Sequence, residues 1–115
     1  VIKKCKSDNL LGIISACVSP EIIESSINEM RDLKIPFGYK ANLWKEEEPV
    51  PVHKFASPRD KVGANPVETL GTRDDYTGEI FFEFSKKMMI KGATILGGCC
   101  ETKPFHIREI SKLKN

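Results

Sequence analysis

No apolar run in these 115 residues approaches the roughly 20 needed to cross a bilayer, which speaks against a membrane-spanning helix. An excess of one charge is lacking too. Eighteen Lys and Arg are interleaved with sixteen Asp and Glu for a net charge of +2, so neither nucleic acid nor an anionic membrane is the expected partner. The first residues lack the charged start, apolar stretch and small-residue cleavage site of a secretory signal. The chain opens on Val1 rather than Met, and is expected to be processed or a piece of something longer. Cysteine is scarce: four residues (Cys5, Cys17, Cys99 and Cys100) do not make a disulfide scaffold. Without a secretory signal the expected compartment is the cytoplasm, where thiols bind metal or do chemistry.

What is present fits one small globular domain. The composition is 40% hydrophobic and 30% charged, and the length suffices for a single core. Val1 to Asn9 is polar and basic. Leu10 to Ala16 is a short, β-branched apolar run, the pattern of a buried parallel strand. Ser19-Pro20-Glu21 opens a helix to about Leu33, with Ser19 as N-cap, Pro20 in the first turn and Ile23, Ile27 and Met30 on one face. Pro36 to Leu43 is a second strand, interrupted by Lys40 and Asn42. Trp44 to Asp75 holds four prolines and little periodicity, and reads as one long loop. Tyr76 to Lys91 is helical, with Ile80, Phe84 and Met88 sharing a face, and Gly92 ends it. Ala93 to Leu96 is a third strand, and Pro104 to Leu113 a last helix with Ile107, Ile110 and Leu113 along one side. Strands alternating with helices predict parallel β/α units.

Chemistry concentrates at Gly97-Gly98-Cys99-Cys100. Neighbouring strand residues point to opposite faces, so two adjacent thiols reach one target only where the backbone leaves strand geometry, and glycine makes that departure cheap. Cys17 also follows a strand. In a parallel sheet all three thiols then lie at the C-terminal edge, where α/β folds place their sites. Three such sulfurs suit one zinc ion with a fourth position vacant. Three thiolates leave a zinc site with a charge of about −1, a poor arrangement for hydrolysis but one that deprotonates an incoming thiol and keeps it nucleophilic. Blander readings stand beside this: a vicinal Cys99–Cys100 disulfide, buried core thiols, a structural Cys5, a solvated His53, a packed His106 and aromatic core residues at Trp44, Phe81, Phe82 and Phe84.

At these residues the chain resembles the homocysteine S-methyltransferase family. The stretch from Gly92 to Ile107, GATILGGCCETKPFHI, resembles its C-terminal signature, and Ser15-Ala16-Cys17-Val18-Ser19-Pro20-Glu21 its first metal cysteine. The resemblance runs from about Leu11 to Leu113. It implies a (β/α)₈ TIM barrel of which residues 1–115 are the C-terminal three β/α units, a partial domain lacking the N-terminal part of the barrel. It implies Zn²⁺ on Cys17, Cys99 and Cys100, homocysteine bound through sulfur, and methionine as product. The family's methyl donors include S-methylmethionine, S-adenosylmethionine, betaine and a methylated corrinoid, and the Trp44 to Asp75 loop is expected to choose among them. Asn42 is carried over as a substrate contact. Glu101, where the family commonly has Gly, and Lys103 and Phe105 depart from the pattern. As an isolated piece the chain is expected to be poorly stable or self-associating, and inactive. The rival functions are a non-catalytic zinc-binding module closed by His53 or His106, and a thiol redox protein using Cys99 and Cys100.

Overall fold

The computed structural model describes residues 9–45, 67 and 70–114. Cys5, His53 and most of the Trp44 to Asp75 loop lie outside the described residues. Among the described residues three strands, β1 (Ile13–Val18), β2 (Phe37–Ala41) and β3 (Ile95–Gly98), alternate with the helices α1 (Pro20–Arg31), α2 (Gly78–Ile90) and α3 (Pro104–Ser111). The sheet is parallel throughout, in the order β1-β2-β3. Strands adjacent in sequence are therefore adjacent in space, and each connection carries a helix, as the alternation predicted.

Helix starts follow local chemistry. The Ser19 hydroxyl accepts from the Ile22 N–H at 3.4 Å, Pro20 occupies the first turn, and Thr77 caps α2 by accepting from Ile80. Gly92, with φ +105, ends the turn after α2 in a conformation other residues resist. At the start of α3 His106 fills the capping role. Its Nδ1 accepts from the Lys103 N–H at 2.8 Å, and its Nε2 lies 2.7 Å from the Tyr76 carbonyl oxygen, which fixes Nε2 as the protonated nitrogen. His106 is buried, as the packing reading held, and joins the start of α3 to the segment before α2.

One core forms between the sheet and the helices. Ile23, Ile27 and Met30 of α1, Phe81, Phe84 and Met88 of α2, and Ile110 of α3 pack with Phe37, Tyr39 and Ala41 of β2. Phe81 takes the inward position expected of Ile80, which is 46% exposed. The Tyr39 hydroxyl donates to Ser85 Oγ at 2.6 Å, and Ser85 donates to the Phe81 carbonyl, so this buried polar pair is satisfied. All three helices thus contribute to a core on one face of the sheet. Side chains alternate along a strand, so Gly38 and Lys40 of β2 point to the opposite face, where Ile14 and Ile95 are also exposed.

Two strand boundaries move toward the thiols. The first strand extends through Cys17 to Val18, and the third begins at Ile95 and runs through Gly98, two residues beyond its expected end. Gly97 and Gly98 pair with Lys40 and Ala41. The sheet ladder, which the apolar pattern cannot see, decides these ends. Ile107, Ile110 and Leu113 do share a side, but with Met89 and Leu96 they line an open apolar groove.

Candidate metal centre

Cys17 stands inside β1 as the extra residue of a β-bulge. Ala16 pairs with Lys40 and Val18 with Ala41, leaving Cys17 without a partner on β2. Its φ of +57 is a left-handed conformation that costs a side-chain-bearing residue roughly 1–2 kcal/mol. The bulge turns the thiol off the strand's alternation. Asn42 secures it: its Nδ2 donates to the Cys17 carbonyl at 2.8 Å, while its backbone N–H donates to the Val18 carbonyl at 2.9 Å.

The paired cysteines are held from the same place. The Cys99 N–H donates to the Ala41 carbonyl at 2.7 Å, and the Leu43 N–H to the Cys100 carbonyl at 3.0 Å. Residues 41–43, at the end of the central strand, therefore stitch both cysteine segments together. Beyond β3 the chain turns tightly. The Thr102 hydroxyl donates to the Cys99 carbonyl, and a Cβ on Gly98 would lie 2.3 Å from that hydroxyl, so the turn demands glycine there. Glu101 follows with φ +62, and its carboxylate accepts from the Thr72 hydroxyl at 2.7 Å and from the Lys103 ammonium at 3.0 Å. Thr72 in turn bridges to Trp44. Glu101, a departure from the family pattern in the sequence, is in the structure a latch between the cysteine turn and the segment before α2.

The three sulfurs converge. Cys17 Sγ lies 3.5 Å from Cys100 Sγ, and the Sγ atoms of Cys17, Cys99 and Cys100 all fall within 4.8 Å of one another. Sulfurs bound at about 2.3 Å in a tetrahedron stand about 3.8 Å apart, so the donor set and its spacing fit zinc. All three thiols are free and keep access to solvent. Burial works against ionising Cys17, but hydrogen bonds from Cys99, Cys100 and the Asn42 side chain outweigh it and hold the thiol below its ordinary pKa. Burial and the two neighbouring sulfurs push Cys100 up to about 12. One sulfur thus ionises readily while another resists becoming a second anion beside it, a conflict that a bound cation removes.

Neither histidine is seen to close the set. Both ring nitrogens of His106 are committed to backbone partners, and His53 lies outside the described residues. Asn42, carried over from the resemblance as a substrate contact, has one amide hydrogen on the Cys17 carbonyl and its Oδ1 accepting from the Trp44 N–H at 3.4 Å. What sequence reasoning missed was Glu101, Thr72 and the main chain of residues 41–43, because hydrogen bonds between segments distant in sequence leave no local pattern.

Together, the parallel sheet and the cluster at its C-terminal edge define an α/β protein with three converging cysteines that could hold a metal ion. The chain belongs to the homocysteine S-methyltransferase family, whose model matches residues 1–113. No curated protein matches the chain.

Proposed function

We propose that this chain is the metal-bearing part of a zinc-dependent methyltransferase that acts on the thiol of homocysteine and yields methionine. The observation that carries the reading is the meeting of Cys17 with Cys99 and Cys100, from opposite ends of the chain, in a spacing fit for one tetrahedral ion. Zinc on three thiolates supplies a position where an incoming thiol loses its proton at neutral pH and stays nucleophilic. The chain's own residues prepare that position. The bulge at Cys17 and the turn at Cys99-Cys100 aim the sulfurs, and residues 41–43 hold both segments in register. Asn42 holds Cys17 through its carbonyl and accepts from the Trp44 N–H, so its second amide hydrogen is the proposed contact to substrate. The choice of methyl donor is assigned to the Trp44 to Asp75 loop.

Two features support a larger barrel. The strand order is sequential, and all three helices share a core on one face of the sheet, as in a closed (β/α)₈ barrel; doubly wound sheets carry helices on both faces. On this reading the described residues make up three of the barrel's eight β/α units. No helix among the described residues is long and apolar enough to cross a membrane.

The test is metal binding followed by turnover. The chain is expected to take up one zinc, and Cys17→Ser, Cys99→Ser and Cys100→Ser each to lose it by competition against a chelating dye. Because Cys100 is protonated at neutral pH in the metal-free site, affinity should fall as pH is lowered, by about tenfold per unit for each proton displaced. Zinc-dependent methionine formation by the complete barrel confirms the activity. Stoichiometric zinc with His53 as fourth ligand and no thiol uptake turns the reading to a structural zinc module. A thiol pair that oxidises reversibly without regard to zinc turns it to a redox protein.

A further inference from the structure

We propose that Lys40 is the anion-binding residue of this site and takes the carboxylate of the thiol that approaches the cysteines; the inference rests on the thiol-activating reading above. Lys40 lies on β2, the central strand, and points away from the helix-covered face because its neighbours Tyr39 and Ala41 point into the core. A charged residue in the middle of a three-stranded parallel sheet is out of pattern, since such strands are built of apolar residues. Its ammonium has no hydrogen-bond or ion-pair partner among the described residues, a property it shares with Lys34, Lys45, Lys86 and Lys114; what sets it apart is its place on the central strand below the thiols.

The surroundings leave room for a ligand. The cross-strand neighbours of Lys40 are Ala16 and Gly97, and the preceding residue on its own face is Gly38. Gly97 is not forced by packing: a Cβ there would make ordinary contacts, 3.5 Å to the Tyr39 carbonyl oxygen and 3.7 Å to Lys40 Cγ. Ala16 and Gly97 therefore leave space beside the lysine, whereas Gly38 is closed off by Ile95, whose carbonyl would lie 1.7 Å from a Cβ there.

Height along the sheet points to the thiol site. Ala16 immediately precedes Cys17, and Gly97 lies two residues before Cys99, so Lys40 stands one to two residues, at about 3.3 Å each, below the sulfurs. The long flexible stem lets its ammonium reach toward the edge. A carboxylate a few carbons from a sulfur seated among the cysteines falls within that reach. The feature selects for acidic thiols, amino acids among them, over neutral or purely cationic ones.

Calorimetry on the zinc-loaded chain, at a concentration where sedimentation shows it unassociated, tests this with homocysteine and 3-aminopropane-1-thiol, which differ only in the carboxylate. The native chain should bind homocysteine about tenfold more tightly, the effect of one charge-assisted hydrogen bond. Lys40→Met should abolish that preference and Lys40→Arg keep most of it, with zinc content and far-ultraviolet dichroism unchanged in both. Equal binding of the two thiols by the native chain, or a preference that survives in Lys40→Met, overturns the inference. A Lys40→Met chain whose urea midpoint moves while its preference does not has lost only a structural lysine, and also overturns it. Failure of both thiols to bind sinks the thiol-activating reading and this inference with it, an outcome distinct from the others.

Discussion

At the scale of single residues, the centre depends on side chains that bind no metal themselves. Cys17 occupies a left-handed conformation in a bulge, and Asn42, buried at 7% exposure, holds that peptide from the neighbouring strand. Removing the amide frees the bulge to relax and the thiol to swing out of the set. Asn42→Ala is therefore expected to weaken zinc binding by about 10- to 100-fold, the usual effect of losing a group that orients a ligand. Competition with a chelator of known affinity measures it, and an unchanged far-ultraviolet spectrum shows that the sheet survives. Glu101 acts in the same manner on the other segment, through Thr72 and Lys103, and its carboxyl pKa is lowered mainly by the Thr72 hydroxyl, with help from Lys103.

Among the elements, the strand ends and helix starts do different work. The end of β2 contacts both cysteine segments, while the helices bring the core and the ties that keep the strands aligned. His106 is one such tie, bridging the Lys103 N–H and the Tyr76 carbonyl across α3 and α2. His106→Ala empties a buried ring site and leaves two partly buried backbone groups without their partner, so it should lower stability by about 2 kcal/mol. Urea unfolding of the zinc-free chain reads that loss. The site should be spared: bound zinc at saturating metal is expected to stay at one per chain, because His106 touches none of the sulfurs.

For the molecule as a whole, the uncovered face of the sheet dominates behaviour. Ile14 and Ile95 are about 40% exposed there, Leu11 is 87% exposed, and β1 and β3 both present free edges among the described residues. A parallel sheet is stable when both faces are covered. The chain alone is therefore expected to self-associate at micromolar concentration, seen as a concentration-dependent sedimentation coefficient. Ile14→Lys with Ile95→Lys should shift it toward monomer without loss of zinc, since neither side chain supports the cysteines.

Much was legible from the residues alone, for identifiable reasons. Helix periodicity at Ile23, Ile27 and Met30, the Ser19-Pro20-Glu21 start and the glycine after α2 are local features, and local features survive folding. The order of strands and helices placed the thiols at one sheet edge, and two short motifs pointed to the family that matches residues 1–113. Only the tertiary structure could decide the rest. Whether Cys17 meets Cys99 and Cys100 depends on a bulge, on the register of three strands and on hydrogen bonds from residues 41–43, all relations between distant segments. That Lys40 looks away from the core, that Glu101 is a latch and that His106 is spent on backbone groups are of the same kind. A chain's local propensities set which elements form, but the meeting of side chains is fixed by how those elements pair.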